Sequence, residues 1–294
     1  MRATDSLQQH SSVYQIVTEQ ILKQLESGVA PWHRPWRTET PRNVVSKREY
    51  RGINVFLLAS LGYGSPYWLT FKQATELGGH VRRGEHGSKV VFWKFDKWET
   101  EDADGQAVER TSAILRYYTV FNVEQCEGIR RPESGRTVNP IEECERIVSG
   151  MPNPPRFEQD ARAWYRPSTD SVGMPARNTF ESAESYYSTL FHELTHSTGH
   201  PKRIGREGIE KLNTFGSESY SREELVAEMG AAMLAGVAGI ERRTLANSAA
   251  YLQSWINVLR ADSRMVVFAA SQAQKASDYI LGKAQTETIN GGAA

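Results

Sequence analysis

The order of apolar and polar residues predicts three helices in the first quarter of the chain. Apolar residues fall at helical spacing over Val13–Ser27, with Ser11 or Ser12 as the N-cap and Gly28 as the stop. Shorter apolar segments predict helices over Gly52–Leu61 and Leu69–Leu77. The stretch APWHRPWRTETPRN between the first two holds too many prolines for regular structure, so we expect a loop there.

The next pattern is a run of β-branched and aromatic residues, which predicts a hairpin. SKVVFWKFDKW and AILRYYTVFNV are the expected strands, and the polar stretch TEDADGQA is the expected turn. An α+β domain over residues 1–123 is the simplest interpretation. Residues 124–157 are rich in Gly and Pro and are predicted to be a linker, although IEECERIVSG within them could form one or two helical turns.

The remaining residues, 158–294, predict a mainly α domain with a small sheet. ARAWYRPSTDSVGMP has the character of a strand pair, and a long helix carrying the segment HELTH follows it. Further helices are expected near 221–236, 242–259 and 271–281, before a frayed tail. The predicted fold class is therefore α+β, in two domains.

The apolar runs and the cysteine content of the chain indicate in which cellular compartment the protein works. No apolar run approaches the ~20 residues that span a bilayer, and the polar start MRATDSLQQHSS lacks the apolar core of a secretory signal. We therefore expect a cytoplasmic protein without a membrane partner. The two cysteines, Cys126 and Cys144, could form one disulfide, but free thiols are the favoured interpretation, and a cysteine zinc site is nearly excluded.

The charge balance divides the chain in two. The net charge is zero, yet residues 1–98 carry fourteen Lys and Arg against eight Asp and Glu, which leaves the rest with 21 against 27. A basic module is thus joined to an acidic one, which indicates different partners for the two.

The basic module is also rich in aromatic residues, with five of the seven tryptophans between residues 29 and 98. Aromatic rings that stack on unpaired bases, beside cations that follow phosphates, predict binding of single-stranded nucleic acid. The alternative is that the aromatics form the domain core. The candidate DNA-binding residues are Trp32, Arg34, Trp36, Arg37, Arg48, Arg51, Lys72, Arg82, Arg83 and Lys94.

The segment HELTH predicts a metal site. On a helix, His192 and His196 lie at i and i+4 on one face, so both imidazoles can bind one divalent cation. Glu193 projects beside that cation and could take a proton from a water that the metal polarises. Two surface histidines at this spacing are the alternative. Zinc is the favoured metal, and manganese or another divalent metal is possible.

A third ligand is needed, and two regions offer one. HELTHSTG matches the opening of HExxHxxGxxH, but Lys202 stands where the third histidine belongs, and His200 lies beyond the Gly199 break. The stronger candidate is SREELVAE, which begins a predicted helix.

This second segment resembles the gluzincin arrangement of metallopeptidases. This resemblance implies that Glu224 is the third ligand and that Glu228 orients a ligand histidine. Gluzincins usually have Asp where Glu228 stands, so the two roles could be exchanged, with Glu223 as a spare. Two solvated glutamates at a helix start are the alternative.

Fold-level analogy adds expectations about substrate. In zincin folds the strand beside the cleft pairs with an extended peptide, and Asp170–Pro175 is placed to serve as that edge strand, although it could equally be core sheet. Tyr186, Tyr187 and Tyr220 are candidate oxyanion donors.

Several motifs together make a wider resemblance specific. GVAPWHRPW, YRGINVFLL, YWLTFKQATELGGHVRRGEHG and VVFWKF, followed by FHELTHSTGH and SREELVAEMGAAML, resemble ArdC-type plasmid antirestriction proteins and the N-terminal part of some conjugative primases. The resemblance runs from about Val13 to Leu281. It implies an N-terminal single-stranded DNA-binding domain, a C-terminal zincin-like metallopeptidase domain, and protection of incoming plasmid DNA from host restriction.

Two other functions remain open from the sequence. One is an active metalloprotease, delivered by the basic domain to a DNA-bound host protein such as a restriction enzyme. The other is a metal that only stabilises the fold.

Overall fold

The computed structural model describes residues 12–33, 39–101, 106–130, 132, 139–206, 218–240 and 249–283. Within these residues, helices and strands are mixed in the first part of the chain, and helices predominate from residue 183 onwards. The helices are α1 (Val13–Glu26), α2 (Ile53–Ala59), α3 (Phe71–Glu76), α4 (Pro140–Ser149), α5 (Ala183–Ser197), α6 (Glu218–Ala238), α7 (Ala249–Ala261) and α8 (Met265–Ile280). The strands are β1 (Arg42–Asn43), β2 (Tyr67–Leu69), β3 (His80–Val81), β4 (Ser88–Glu101), β5 (Ala107–Asn122), β6 (Cys126–Glu127), β7 (Arg156–Gln159), β8 (Trp164–Arg166) and β9 (Ser171–Met174).

Local signals explain helix α1, which was predicted to within one residue. Ser12 and Gln15 form a capping box, in which each side chain accepts a hydrogen bond from the other residue's backbone N–H. Gly28 ends the helix region with φ +81°, a conformation that favours glycine. The apolar stripe of α1 is buried against the core.

The predicted hairpin is confirmed and is the longest feature of the N-terminal sheet. β4 and β5 pair antiparallel from Ser88↔Val120 to Glu101↔Ala107, within a sheet of order β1-β2-β5-β4. The outer edge of β4 is held by Asn54 of α2, whose side chain donates to the Val91 carbonyl and accepts from the Val91 N–H. In a separate, smaller sheet, β3 pairs antiparallel with β6.

The C-terminal sheet corrects one expectation. The strand pair is present as β8 and β9, but β7 joins it in parallel to give the order β7-β9-β8. β9 is therefore the central strand, with both edges already paired and all four residues buried. The expectation that Asp170–Pro175 offers a free edge to a peptide was wrong, because β7 occupies it.

The segment predicted to be a linker contains a regular helix. α4 has three turns, capped by Asn139 and with Pro140 at its first position. It buries Cys144 and Ile147 in a core shared with α5 and α6. The division into 1–123, 124–157 and 158–294 stays a prediction, but α4 packs with the C-terminal helices.

A second core joins the two halves of the chain. Val17 of α1 and Phe56 of α2 belong to the same apolar cluster as Met229 of α6 and Trp255 of α7. Arg51 forms an ion pair with Asp278 of α8 across this junction.

Both cysteines are buried free thiols, as predicted. Within the described ranges, no helix combines the length and apolar character that crossing a bilayer requires.

Candidate metal centre

Helix α5 presents the two histidines of HELTH. Ser182 caps the helix by accepting from the Ser185 N–H, and the apolar face at Leu190, Phe191 and Leu194 is buried. The imidazoles of His192 and His196 then face the same side, with their Nε2 atoms 3.1 Å apart. The i, i+4 spacing produces the pairing that was predicted from the sequence.

Helix α6 brings a carboxylate to these two nitrogens. Glu224 Oε2 lies 3.6 Å from His192 Nε2, and Glu224 Oε1 lies 3.4 Å from His196 Nε2. One donor atom from each of the three residues lies within 4.8 Å of the others. Two imidazole nitrogens and one carboxylate oxygen, mostly buried, are a donor set that fits a divalent cation such as zinc or manganese.

A glycine allows α6 to approach α5 this closely. A Cβ atom on Gly230 would lie 2.5 Å from Thr195 Cγ2 and 2.8 Å from Thr195 Oγ1. Thr195 is fully buried and donates to the Phe191 carbonyl, so it cannot easily move away. The small residue on α6 thus sets the distance between the histidines and the glutamates.

The other nitrogen of each imidazole has its own carboxylate. Glu228 Oε1 lies 3.3 Å from His192 Nδ1, at ion-pair distance, and Glu223 Oε1 lies 3.4 Å from His196 Nδ1. Carboxylates at this position fix the tautomer of a ligand histidine and leave Nε2 for the metal. The sequence predicted that Glu228 orients a ligand histidine, whereas Glu223 was considered only as a spare.

Glu223 is itself held by Arg206, which sequence reasoning missed. The buried guanidinium donates to both carboxylate oxygens of Glu223, and also to Thr198 Oγ1 and the Thr195 carbonyl. Arg206 lies in the loop after α5, and its spacing from the motif carries no recognisable signal. The contact exists because that loop folds back over the helix end.

The carboxylates determine the electrostatics of the site. Burial acts to lower the pKa of His196, but its contacts with Glu223 and Glu224 outweigh burial and raise the pKa to about 9. His192 follows the same pattern, since burial opposes and Glu224 and Glu228 raise its pKa well above the usual value. In turn, burial would raise the pKa of Glu224, and the two imidazoles lower it instead.

Glu193 is buried on the same helix turn. Burial raises the pKa of its carboxyl group, with the neighbouring imidazoles acting in the opposite direction. A carboxyl with a raised pKa beside a metal-binding pair is typical of a general base.

His200, the competing candidate for the third ligand, and Lys202, which stands where the third histidine of HExxHxxGxxH belongs, both lie elsewhere. His200 Nδ1 accepts from the Lys202 N–H and lies 4.0 Å from Asp170 Oδ2, so it points into another cluster. Lys202 is exposed. The structure brings neither residue into the group formed by His192, His196 and Glu224.

The candidate oxyanion donors are placed differently. The Tyr187 hydroxyl donates a hydrogen bond to Glu145, so this hydroxyl is already engaged. Tyr186 packs edge-on against the rings of Phe180 and Tyr187. Tyr220 is half-buried at the start of α6.

Trp32, a favoured candidate for base stacking, is a core residue. Only 1% of its surface is exposed, because its ring packs edge-on against Phe56 and Trp255. No base can reach the ring without unfolding this junction, so the predicted stacking role is corrected. Arg51 is also engaged at the junction, with Asp278. Arg34, Trp36 and Arg37 lie outside the described residues.

The other candidate cations lie at the surface. Arg48 and Arg83 are exposed. The remaining three each have an acidic neighbour, in the pairs Lys72–Glu76, Arg82–Glu85 and Lys94–Asp96.

Fold and site together define a class of protein. Residues 11–121 match the N-terminal domain of the anti-restriction factor ArdC, and residues 142–272 match a zincin-like metallopeptidase domain. The chain therefore combines an ArdC-type N-terminal domain with a zincin-like domain.

Solved structures identify the family. The metal-free structure of the antirestriction ArdC protein from the R388 plasmid is 39% identical, with a TM-score of 0.73, and the alignment covers 92% of this chain and 97% of that one. Its Mn(II)-bound structure is 37% identical, with a TM-score of 0.72, over 94% and 100%. The chain belongs to the ArdC antirestriction family.

Curated relatives extend the comparison. Two DNA primases TraC from Escherichia coli are 37% and 35% identical over 92% and 97% of this chain, but the chain spans only 27% and 21% of their length. The y4eC protein of Sinorhizobium fredii is 34% identical over 96% of this chain and 97% of its own length.

Proposed function

We propose that this chain is a single-stranded DNA-binding antirestriction protein, which protects incoming conjugative plasmid DNA in the cytoplasm and carries a metallopeptidase-like metal centre. Membership of the ArdC family supports the antirestriction role. The excess of six positive charges in residues 1–98 supports contact with DNA phosphates.

DNA binding is tested by titrating the protein into labelled single-stranded and duplex oligonucleotides over a range of salt concentrations. We expect a preference for single strands and a steep loss of affinity with salt, because bound phosphates release counterions. Affinity that does not change with salt, or a strong preference for duplex, would contradict the proposal. Transfer of a plasmid into a restricting host, with and without this protein, tests protection directly.

For the metal centre, we propose that His192, His196 and Glu224 bind zinc or manganese. The convergence of two imidazole nitrogens and one carboxylate carries this assignment, and the Mn(II)-bound relative supports a divalent cation. Glu228 and Glu223 would hold the imidazoles in the ligand tautomer. Metal analysis of the purified protein and of its Glu224→Gln variant tests the assignment.

An active metalloprotease is the second candidate function, favoured by the buried Glu193 and its raised pKa. A bound cation would polarise the scissile carbonyl and the attacking water. Glu193 would accept the proton of that water at its carboxylate and later return it to the leaving amine. The substrate would be a host protein such as a restriction enzyme.

The Glu193→Gln variant separates these functions. If protection and proteolysis are both lost while the variant still binds metal and DNA, the protease acts in protection. If protection persists without proteolysis, the protease is incidental. If neither wild type nor variant cleaves a host protein and chelation only lowers the unfolding temperature, the metal stabilises the fold.

A further inference from the structure

The β4–β5 hairpin, which we call the arm, extends beyond the rest of its sheet. β5 pairs with β2 only at Phe121 and Asn122, whereas its pairing with β4 continues to Glu101↔Ala107. At about 3.3 Å per residue, the paired strands reach tens of ångströms past β2. A two-stranded ribbon of this kind has little core of its own, so the side chains on it are available for contacts.

The arm exposes large apolar side chains that a surface normally hides. Among the described residues, twelve large hydrophobic side chains are exposed, and five of them lie on the arm: Phe95 (38%), Trp98 (46%), Val108 (38%), Ile114 (39%) and Tyr117 (45%). By strand alternation, Trp98, Val108 and Ile114 share one face of the arm, and Phe95 and Tyr117 lie on the other. Apolar groups exposed together on one face are typical of a binding surface.

Basic residues predominate in the stem of the arm. The stem, residues 88–98 and 110–120, contains five basic residues and one acidic residue, Asp96. A polyanion would therefore be attracted to the stem.

The register shows which residues share a face. Side chains alternate along a strand, so Trp98 lies on the same face as Lys94, and the cross-strand pairs Lys94↔Ile114 and Phe92↔Arg116 add Ile114 and Arg116 to it. Lys94 lies 2.9 Å from Asp96 on this face, and both remain substantially exposed.

The opposite face of the arm is partly covered. Trp93 contacts Tyr14 of α1 there, with ring centroids 6.3 Å apart. On the Trp98 face, Lys94, Ile114 and Arg116 are exposed together with Trp98, which leaves this part of the arm open to a ligand.

We propose that single-stranded DNA crosses the stem on the Trp98 face, with a base stacked on Trp98 and phosphates bound by Arg116 and Lys94. This assignment rests on the proposed function and gives it a location. An exposed indole offers a ring face to an unpaired base, and a duplex would hide its own base faces from such a contact.

The test measures binding of a fluorescein-labelled oligothymidylate to the full chain by anisotropy. Trp98→Ala should weaken binding by roughly 5- to 150-fold, the range for one stacked base, whereas Trp98→Phe should retain most of the affinity. Arg116→Gln should lower the slope of log affinity against log salt by about 0.7. Phe268→Ala removes another exposed ring, 56% exposed on α8, and should change nothing.

The other possible results distinguish failure of the arm site from failure of the proposed function. If wild type binds the oligonucleotide and the Trp98→Ala and Arg116→Gln variants bind equally well, the arm site is wrong and the proposed function stands. If the wild-type protein does not bind the oligonucleotide at low salt, the proposed function is wrong, and the arm site is wrong with it. If the variants lose only duplex affinity, the arm is a ribbon for the major groove, and single-strand binding there is overturned. Circular dichroism checks folding, and Arg116→Gln with Lys94→Gln carry the test if Trp98→Ala does not fold.

Discussion

Replacing Glu223, Glu224 and Glu228 of α6 one at a time by glutamine should distinguish a metal ligand from the groups that orient ligands. Glu224 faces both Nε2 atoms, at 3.6 and 3.4 Å, while Glu228 and Glu223 each face one Nδ1 atom, at 3.3 and 3.4 Å. Loss of an orienting carboxylate costs ~10–100-fold in metal affinity. Loss of a ligand should cost more, so we expect the Glu224→Gln variant to be the weakest binder.

The assay is a competition titration with a chromophoric chelator, combined with thermal unfolding at fixed metal. At saturating metal, a 100-fold loss of affinity removes about 2.7 kcal/mol of metal-dependent stability. Glu158→Gln on the exposed strand β7 is the matched control and should behave as wild type.

The unfolding temperature measured in the presence of a chelator distinguishes the roles of Glu223 and Glu228. Glu223 is buried against Arg206, and disrupting a buried ion pair can cost ~3–5 kcal/mol, less where an amide oxygen still accepts from the guanidinium. Glu223→Gln should therefore unfold at a lower temperature than Glu228→Gln even without metal. If Glu228→Gln loses more metal affinity than Glu224→Gln, the two roles are exchanged and the assignment is refuted.

Three further predictions follow from the same structure. Gly230→Ala should destabilise the protein by ~1–2 kcal/mol, since overpacking against Thr195 costs ~1–3 and the gain in helix propensity offsets at most about 1; an unchanged unfolding temperature would contradict the close approach. Metal uptake at pH 7 should release protons, because the pKa of His196 is raised to about 9 and that of His192 well above its usual value, so a protonated imidazole must lose its proton to bind. Affinity should accordingly fall as pH falls, and calorimetry in buffers of different ionisation enthalpy would count the protons; release of none would refute the argument. Neither Cys126 nor Cys144 should react with a thiol reagent at pH 8 until the protein is denatured, because burial raises the pKa of both thiols, that of Cys144 to about 12; rapid labelling of the native protein would contradict this.

Local patterns were sufficient for several elements of the fold. The capping box and apolar stripe of α1, and the alternating aromatic run of β4 with its partner β5, depend on residues close in the chain. Pairings between distant segments were not predictable in this way. The parallel pairing of β7 with β9 and the packing of α4 depend on how separate elements meet.

In the candidate site, too, contacts within one helix were predictable from the sequence, and contacts between separate elements were not. The i, i+4 spacing determined from sequence alone that His192 and His196 share a helix face, because helical geometry relates residues within one turn. Which glutamate faces which nitrogen depends on the rotation and depth of α6 against α5, and these are set by packing at Gly230 and Thr195. The Arg206 contact with Glu223, and the burial of Trp32 beneath Trp255, likewise join residues far apart in sequence. Only the tertiary structure decided them, because contacts between separate elements depend on the simultaneous packing of the whole core.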